Sequence, residues 1–113
     1  MSKLDEKIAL YTKSASDLGL NIPADFIAKV TKGLGPSIYK KDAESIACGQ
    51  ASELETVKKN FLEKKLGITD TAAIDKAVRE VCEEMGSSNR HKYRALFYAL
   101  LAQKFNKQSV YNA

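Results

Sequence analysis

Few side chains in this sequence have the types and spacing needed for acid–base or nucleophilic chemistry. His91 is the only histidine, so any mechanism that pairs histidine with a serine, a cysteine or a metal ion must use it. Ser37 lies in Gly-Pro-Ser-Ile-Tyr, which ends in Tyr39 where a G-x-S-x-G nucleophile elbow requires glycine. The segment also lacks the Gly-Lys-Ser/Thr ending of a phosphate-binding loop. We interpret GPSIY as a tight structural turn, with a partner-binding loop as the alternative.

Three carboxylates, Glu80, Glu83 and Glu84, are close enough in sequence to suggest a metal site or an acid–base pair. However, Lys76 precedes Glu80 by four residues and Arg79 precedes Glu83 by four, which is the spacing of ion pairs along a helix. A solvated charged face therefore explains the cluster, and we predict no metal site, no cofactor and no catalytic residue.

The two cysteines, Cys48 and Cys82, are far apart and do not have the spacing of a zinc-binding or redox motif. We therefore expect reduced thiols, with a single bridge between them as the alternative. Cys82 is in step with Val78 and Met85, so we interpret it as a small buried apolar residue and not as a nucleophile.

Positive charge is concentrated in the second half of the chain. Residues 1–56 carry net charge −1 and residues 57–113 carry net charge +5. No acidic residue follows Glu84, whereas five basic residues do: Arg90, Lys92, Arg94, Lys104 and Lys107. The total of +4 therefore reflects the C-terminal half.

Some of these cations fall where we expect the last long helix to begin, at Ser87 or Ser88. A helix N-terminus favours negative charge, so basic residues there need compensation, either from distant carboxylates such as Glu83 and Glu84 or from an external anion. The second alternative predicts an anion-binding site that partly faces water and comprises Ser88, Asn89, Arg90, Lys92 and Arg94.

The same junction only partly fits a DNA-binding helix-turn-helix. Cys82 supplies the small residue before the turn glycine, Gly86, but Lys92 stands where such motifs bury an apolar side chain. No aromatic and basic RNA-binding pattern is present either, so we disfavour nucleic acid as a partner.

The first half of the chain predicts short helices. Leu4, Ile8, Tyr11, Ala15 and Leu18 share one face of a helix that ends at Gly19. A second helix opens near Asn21, with Pro23 in its first turn, and ends at Gly33. After the breaker residues 33–37, Asp42 is expected to cap a brief helix that ends near Cys48 and Gly49.

The second half predicts three longer helices. Ser52 and Glu55 have the spacing of a capping box, and Gly67 offers a left-handed C-cap with Ile68 as its apolar partner. Asp70 caps the next helix, which closes at Gly86. The last helix has the most apolar stripe, so we expect the core to contain the residues Leu62, Val78, Val81, Leu96, Phe97, Leu100 and Leu101.

No segment alternates apolar and polar residues over the length of a strand. We therefore predict an all-α fold: one compact domain over residues 1–113, with five or six helices, short connections and flexible termini at about 1–2 and 108–113. The longest apolar run, 95–102, is too short to span a membrane, and the N-terminus lacks the features of a secretory signal. We expect a cytoplasmic protein with no membrane association.

Four segments also carry a resemblance: GPSIY at 35–39, SELETVKKNFLEKKLG at 52–67, SNRHKYRALFYALL at 88–101 and KQSVY at 107–111. They resemble a small bacterial family of unknown function. The resemblance implies a soluble bacterial protein and brings no activity, substrate or site residue.

Two classes of function follow from these observations. We favour a noncatalytic helical module for binding or self-association, forming a homodimer because small domains hide apolar patches poorly. The alternative is a binder of nucleic acid, phosphate or an acidic protein partner through the basic C-terminal helix surface. An enzyme ranks third.

Overall fold

The last long helix forms the centre of the fold. In the computed structural model, which describes residues 3–86 and 92–111, α1 spans Lys3–Asp17, α2 Ala24–Leu34, α3 Lys41–Glu44, α4 Ala51–Val57, α5 Thr71–Glu84 and α6 Arg94–Lys104. Helix α6 packs against α1, α2, α3 and α5. Phe97, near its middle, is fully buried.

Short helical segments fill the connections. Gly35–Tyr39 and Gln108–Tyr111 are 3-10 helices, and Lys58–Glu63 continues α4 with π-helical backbone. The described residues contain no strand, only an isolated antiparallel bridge between Ser45 and Tyr93. The prediction of an all-α single domain is confirmed, and the radius of gyration of 13.0 Å is what a compact chain of this length should have.

The core follows the apolar periodicity of the sequence. All seven residues expected in the core are buried: Leu62, Val78, Val81, Leu96, Phe97, Leu100 and Leu101. On α1, Tyr11 and Ala15 are buried and Leu4 packs against the core from its edge. The stripes of the separate helices therefore meet in one interior.

Two predicted helix ends are confirmed. The side chain of Asp70 accepts a hydrogen bond from the backbone N–H of Ala73 at 3.2 Å, which caps α5. Gly67 has φ +72°, and the N–H of Ile68 donates to the carbonyl of Leu62 at 2.9 Å. Glycine is suited to this left-handed position because it lacks a Cβ.

The capping box at Ser52 and Glu55 was a wrong prediction. Helix α4 begins one residue earlier, at Ala51, and Gln50 occupies the N-cap position without a side-chain cap. Alanine is the stronger helix former, so the helix includes it and Ser52 becomes part of the first turn. The carbonyl of Ser52 instead accepts a hydrogen bond from the hydroxyl of Thr56 at 3.1 Å.

The start of α6 and the extent of α3 also differ from expectation. Lys92 and Tyr93 are not helical, and α6 begins at Arg94 and not at Ser87 or Ser88. Asp42 lies within α3, whose N-cap residue is Lys40 and which ends at Glu44, well before Cys48. In both places the backbone is extended where segment 45–46 pairs with residues 92–93. This long-range pairing competes with local helix formation.

The GPSIY segment forms a structural turn. Gly35 has φ +65°, and the 3-10 helix that follows buries Ile38 while leaving 47% of Tyr39 exposed. This arrangement agrees with the interpretation as a turn. It also leaves one aromatic side chain at the surface.

Residues 108–111, expected to be flexible, pack back onto the bundle. The rings of Tyr111 and Phe26 meet edge to face, with centroids 5.6 Å apart. A Cβ on Gly33 would lie 3.2 Å from the Tyr111 ring, so this close approach depends on the small residue. The ammonium group of Lys65 lies 4.6 Å from the centroid of the same ring.

Candidate functional site

The predicted anion site is only partly within the described residues. Ser88, Asn89 and Arg90 lie outside them, whereas Lys92 and Arg94 stand immediately before and at the start of α6. Both described members are largely buried: Lys92 is 6% exposed and the Arg94 side chain 15%. Arg94 therefore does not face water in the way that the anion hypothesis requires of part of the cluster, and Lys92 is exposed over only a small part of its surface.

The guanidinium group of Arg94 is used within the fold. Its Nε donates to the carbonyl of Ala43 at 2.7 Å, and its Nη2 donates to Oε1 of Glu53 at 3.1 Å. The Nη1 donates to the hydroxyl of Tyr98 at 2.9 Å. Arg94 thus joins the start of α6 to the end of α3 and to α4. Its charge is compensated by a distant carboxylate, as the first alternative expects, but that carboxylate is Glu53 and not Glu83 or Glu84.

Lys92 belongs to a second set of contacts. Its carbonyl accepts a hydrogen bond from the N–H of Ile46 at 2.8 Å, next to the bridge between Ser45 and Tyr93. We call the contact of segment 43–50 and Glu53 with residues 92–94 the polar junction. Residues more than 40 positions apart in sequence meet there, which is why helical spacing does not reveal it.

A disulfide bond between Cys48 and Cys82 flanks the polar junction and corrects the expectation of reduced thiols. The Cα atoms are 6.1 Å apart, within the usual range for a bridge. It connects segment 43–50 to α5. Neither cysteine is fully buried, although both pack against the edge of the core.

A cavity of about 290 Å³ opens beside this disulfide. We call it the disulfide cavity; its lining comprises Cys48, Gly49, Arg79, Cys82, Glu83 and Lys92. The lining thus contains two basic residues and one acidic residue in addition to the two cysteines. Of the predicted anion-site residues, only Lys92 lines it among the described part of the chain.

A buried tyrosine lies on the other side of the polar junction. The hydroxyl of Tyr11 donates to Oε2 of Glu44 at 2.6 Å, and Nζ of Lys7 donates to the same oxygen at 2.6 Å. The Tyr11 ring contacts that of Tyr93, with centroids 4.8 Å apart. Burial, the hydrogen bond to Glu44 and the charge of that carboxylate raise the pKa of Tyr11 far above its ordinary value. The phenol therefore remains protonated and acts as a structural donor.

An open groove of about 550 Å³ lies between the turn after α1 and the C-terminal end of α6. We call it the α1–α6 groove. Three leucines, Leu18, Leu20 and Leu100, supply its apolar surface. Its volume is within the range of about 300–1,000 Å³ typical of ligand pockets.

The polar lining of the groove is dominated by neutral amides. Asn21, Gln103 and Gln108 line it, and Nε2 of Gln103 donates to the backbone carbonyl of Asn21 at 3.3 Å. Glu84 and Lys104 also line the groove and form an ion pair at 3.1 Å. The groove therefore offers donors and acceptors with little net charge.

The acidic residues of α5 contact a lysine of the neighbouring helix. Nζ of Lys104 lies 3.8 Å from Oε1 of Glu80 and 3.1 Å from Oε1 of Glu84. The charged face is thus paired across helices by Lys104, and the ion pairs expected within this described helix, of Lys76 with Glu80 and of Arg79 with Glu83, do not form. Within the described residues, no three His, Cys, Asp or Glu side chains come close enough together to hold a metal ion.

Sequence reasoning kept the disulfide only as the alternative to reduced thiols, and it missed the α1–α6 groove. Cys48 and Cys82 were visible as a pair, but only the packing of segment 43–50 on α5 brings them together. The groove joins residues from the two ends of the chain, such as Asn21 and Gln103. Its amides had no spacing pattern that could have revealed it.

Comparison with known proteins identifies the family without giving an activity. Across residues 3–86 and 92–111, no helix has the length and apolar content needed to cross a membrane. None of the curated proteins matches the chain. A family model described as "Protein of unknown function (DUF2853)" matches residues 10–109. The match covers most of the sequence, so the chain belongs to this family of unknown function.

Proposed function

We propose that this protein is a noncatalytic helical binding module that holds a short segment of a partner protein in the α1–α6 groove. The observation that carries the proposal is the combination of about 550 Å³ of open volume with an amide-rich lining. Side-chain amides both donate and accept hydrogen bonds, as peptide groups do. An extended peptide is the ligand that matches this chemistry.

The apolar and charged parts of the lining refine the ligand. Leu18, Leu20 and Leu100 favour a segment that carries an aliphatic side chain. Glu84 and Lys104 neutralise each other at 3.1 Å, so long-range attraction contributes little to binding. Binding should therefore depend only weakly on salt.

Self-association is retained as a further part of this proposal. Leu10 and Tyr39 are the two exposed large hydrophobic side chains among the described residues, at 41% and 47% exposure. A homodimer would cover such side chains. Sedimentation at two protein concentrations measures dimer formation. A single 12.5 kDa species at the higher concentration would exclude the dimer.

The anion-binding alternative has less support. Its favourable observation is that Arg79 and Lys92 line one cavity. Against it, Arg94 donates from all three guanidinium nitrogens to groups within the fold. Lys92 and Tyr93 are also not helical, whereas the second helix of a helix-turn-helix begins three or four residues after the first helix ends. We therefore rank an acidic or phosphorylated partner second and nucleic acid below it.

We further propose a bacterial protein located in the cytoplasm. The disulfide opposes this location, because stable disulfides are rare in reducing compartments. A bond that opens by thiol exchange would remove the conflict. Cell fractionation combined with alkylation of free thiols before lysis tests both parts.

The groove is tested by comparing three forms of the protein as bait in native cell extract. They are wild type, the double variant Gln103→Ala/Gln108→Ala and the matched control Gln50→Ala, which changes an exposed glutamine outside the groove. We expect one protein to be retained by wild type and the control and lost with the double variant. A synthetic segment of that protein should then bind the double variant about tenfold more weakly, as measured by calorimetry.

Two outcomes would contradict the proposal. Equal retention by all three forms would show that the groove amides do not contribute. A fall in affinity of about 10³ between 50 and 200 mM salt would indicate phosphate contacts and favour the anion alternative.

A further inference from the structure

The Cys48–Cys82 disulfide lies where a small molecule can reach it. Both cysteines line the disulfide cavity, whose volume is about 290 Å³. A Cβ added to Gly49, which also lines the cavity, would meet no heavy atom within 4 Å, so the space beside Gly49 is open. The cavity volume is near the lower end of the range for small-molecule sites, about 300–1,000 Å³. The site therefore suits a small reactant better than a protein chain.

The charged residues that line the disulfide cavity favour an anionic reactant. Arg79 and Lys92 line the cavity together with one carboxylate, Glu83, so its formal charge is positive. Arg79 lies three residues before Cys82 on α5, a spacing that places both on one helix face. Cations beside a disulfide also stabilise the thiolate that leaves when the bond opens.

We propose that the Cys48–Cys82 disulfide is a thiol-exchange site that reacts with small thiols bearing carboxylate groups, drawn to it by Arg79 and Lys92. The proposal concerns a different cavity from the α1–α6 groove and does not depend on the function proposed there. It assigns a chemical role to the disulfide in addition to its structural one.

The reaction consumes two molecules of the small thiol. The thiolate of the first attacks one cysteine Sγ, a new S–S bond forms, the protein disulfide breaks, and the other Sγ leaves with the electron pair and takes up a proton. A second thiolate attacks the sulfur of the first small molecule within this mixed disulfide. The remaining cysteine then leaves as a thiolate and is protonated. Overall, two small thiols are oxidised to their disulfide and the protein disulfide is reduced to two thiols.

Opening the bond releases segment 43–50 from α5 without removing its other attachment. The N–H of Ile46 still donates to the carbonyl of Lys92, and the Ile46 side chain, 4% exposed, is held in the core. We therefore expect the reduced protein to stay folded, with faster hydrogen exchange confined to segment 43–50 and the facing part of α5.

The test measures reduction rates of the folded protein with three thiols: glutathione, which is anionic, 2-mercaptoethanol, which is neutral, and cysteamine, which is cationic. Each rate is divided by the rate of the same thiol with hydroxyethyl disulfide, which removes differences in intrinsic reactivity. Alkylation and mass spectrometry follow the reduced protein. We expect the corrected rate to be highest for glutathione and lowest for cysteamine.

Charge variants on α5 identify the groups responsible. Reversing one charge a few ångströms from the reactant is worth about a tenfold change in rate. Arg79→Glu should lower the rate of reduction by glutathione about tenfold and raise the rate of reduction by cysteamine. Glu83→Gln should raise the rate of reduction by glutathione. Lys76→Glu is the matched control, because it makes the same charge change on an exposed residue of the same helix outside the cavity and should leave both rates unchanged.

Three results would overturn the proposal. The first is a disulfide that no thiol reduces until the protein is unfolded, which would make the bond purely structural. The second is an equal corrected rate for all three thiols. The third is an equal effect of Lys76→Glu and Arg79→Glu, which would indicate the net charge of the protein and not the cavity.

Discussion

The interior around α6 and the polar junction are neighbouring regions that are stabilised in different ways. In the interior, residues such as Leu96, Phe97 and Leu101 are fully buried among apolar side chains. At the polar junction, contacts are individual bonds between groups far apart in sequence, such as Arg94 with Ala43 and Glu53. Burial is spread over many contacts that have no required direction, whereas the junction depends on a few directional bonds.

The largest effect is expected in the interior. Phe97 is fully buried, so Phe97→Ala removes a ring from the core and leaves a cavity, which should lower the free energy of unfolding by about 3–5 kcal/mol. Urea denaturation monitored by circular dichroism measures it. Tyr39→Ala, at a ring that is 47% exposed, is the control and should change stability by less than about 0.5 kcal/mol. Similar losses for both variants would show that the interior has been wrongly located.

The disulfide should give the next largest effect, and the physical reason is different. It closes a loop between residues separated by 34 positions, and in the chain-entropy model that restriction of the unfolded chain is worth about 3–4 kcal/mol. The free energy of unfolding of Cys48→Ala/Cys82→Ala should be lower than that of oxidised wild type by this amount. Adding a reductant should then have no further effect on the variant, although it destabilises wild type. A variant as stable as oxidised wild type would show that the bond contributes nothing.

These two predictions also show what the sequence could reveal. Helical periodicity identified the buried residues of α5 and α6, because each stripe is a local pattern that needs only to face inward. Caps that depend on local geometry, such as Asp70 and Gly67, were also predictable. The capping box at Ser52 failed because the helix begins at Ala51, two residues before Glu53, where a helix capped by Ser52 would begin.

The candidate site was harder to predict because its contacts are long-range. Arg94 was recognised as a cation that needed a partner, but its partner, Glu53, is 41 positions away in sequence. The disulfide and the pairing of Ile46 with Lys92 depend on the same folding of segment 43–50 onto α5 and α6. Charge analysis therefore located the region correctly and assigned the wrong carboxylates to Arg94.

The stability of an Arg94 variant tests whether the polar junction depends on directional bonds. Arg94→Lys keeps the charge but loses the planar group that reaches Ala43, Glu53 and Tyr98 at once, so we expect a loss of about 2 kcal/mol. Lys104→Met is the control: it removes a more exposed pair with Glu80 and Glu84 and should cost less than about 0.5 kcal/mol. If Arg94→Lys were as stable as wild type, charge alone would suffice and the comparison between the two regions would fail.

The smallest effect concerns Tyr11, which connects the two regions, since its ring is buried in the core and its hydroxyl reaches Glu44. Burial first, and then the bond to Glu44, raise its pKa above the ordinary value of 10.0, so the folded protein retains a proton that the unfolded chain releases above pH 10. The stability from this difference is complete below pH 10 and is lost as the pH rises further.

We therefore expect the stability difference between wild type and Tyr11→Phe to shrink by about 1 kcal/mol from pH 8 to pH 11, because phenylalanine has no proton to lose. A constant difference for Tyr11→Phe would mean that the phenol already reaches water in the folded protein, and that the interior does not extend to the polar junction.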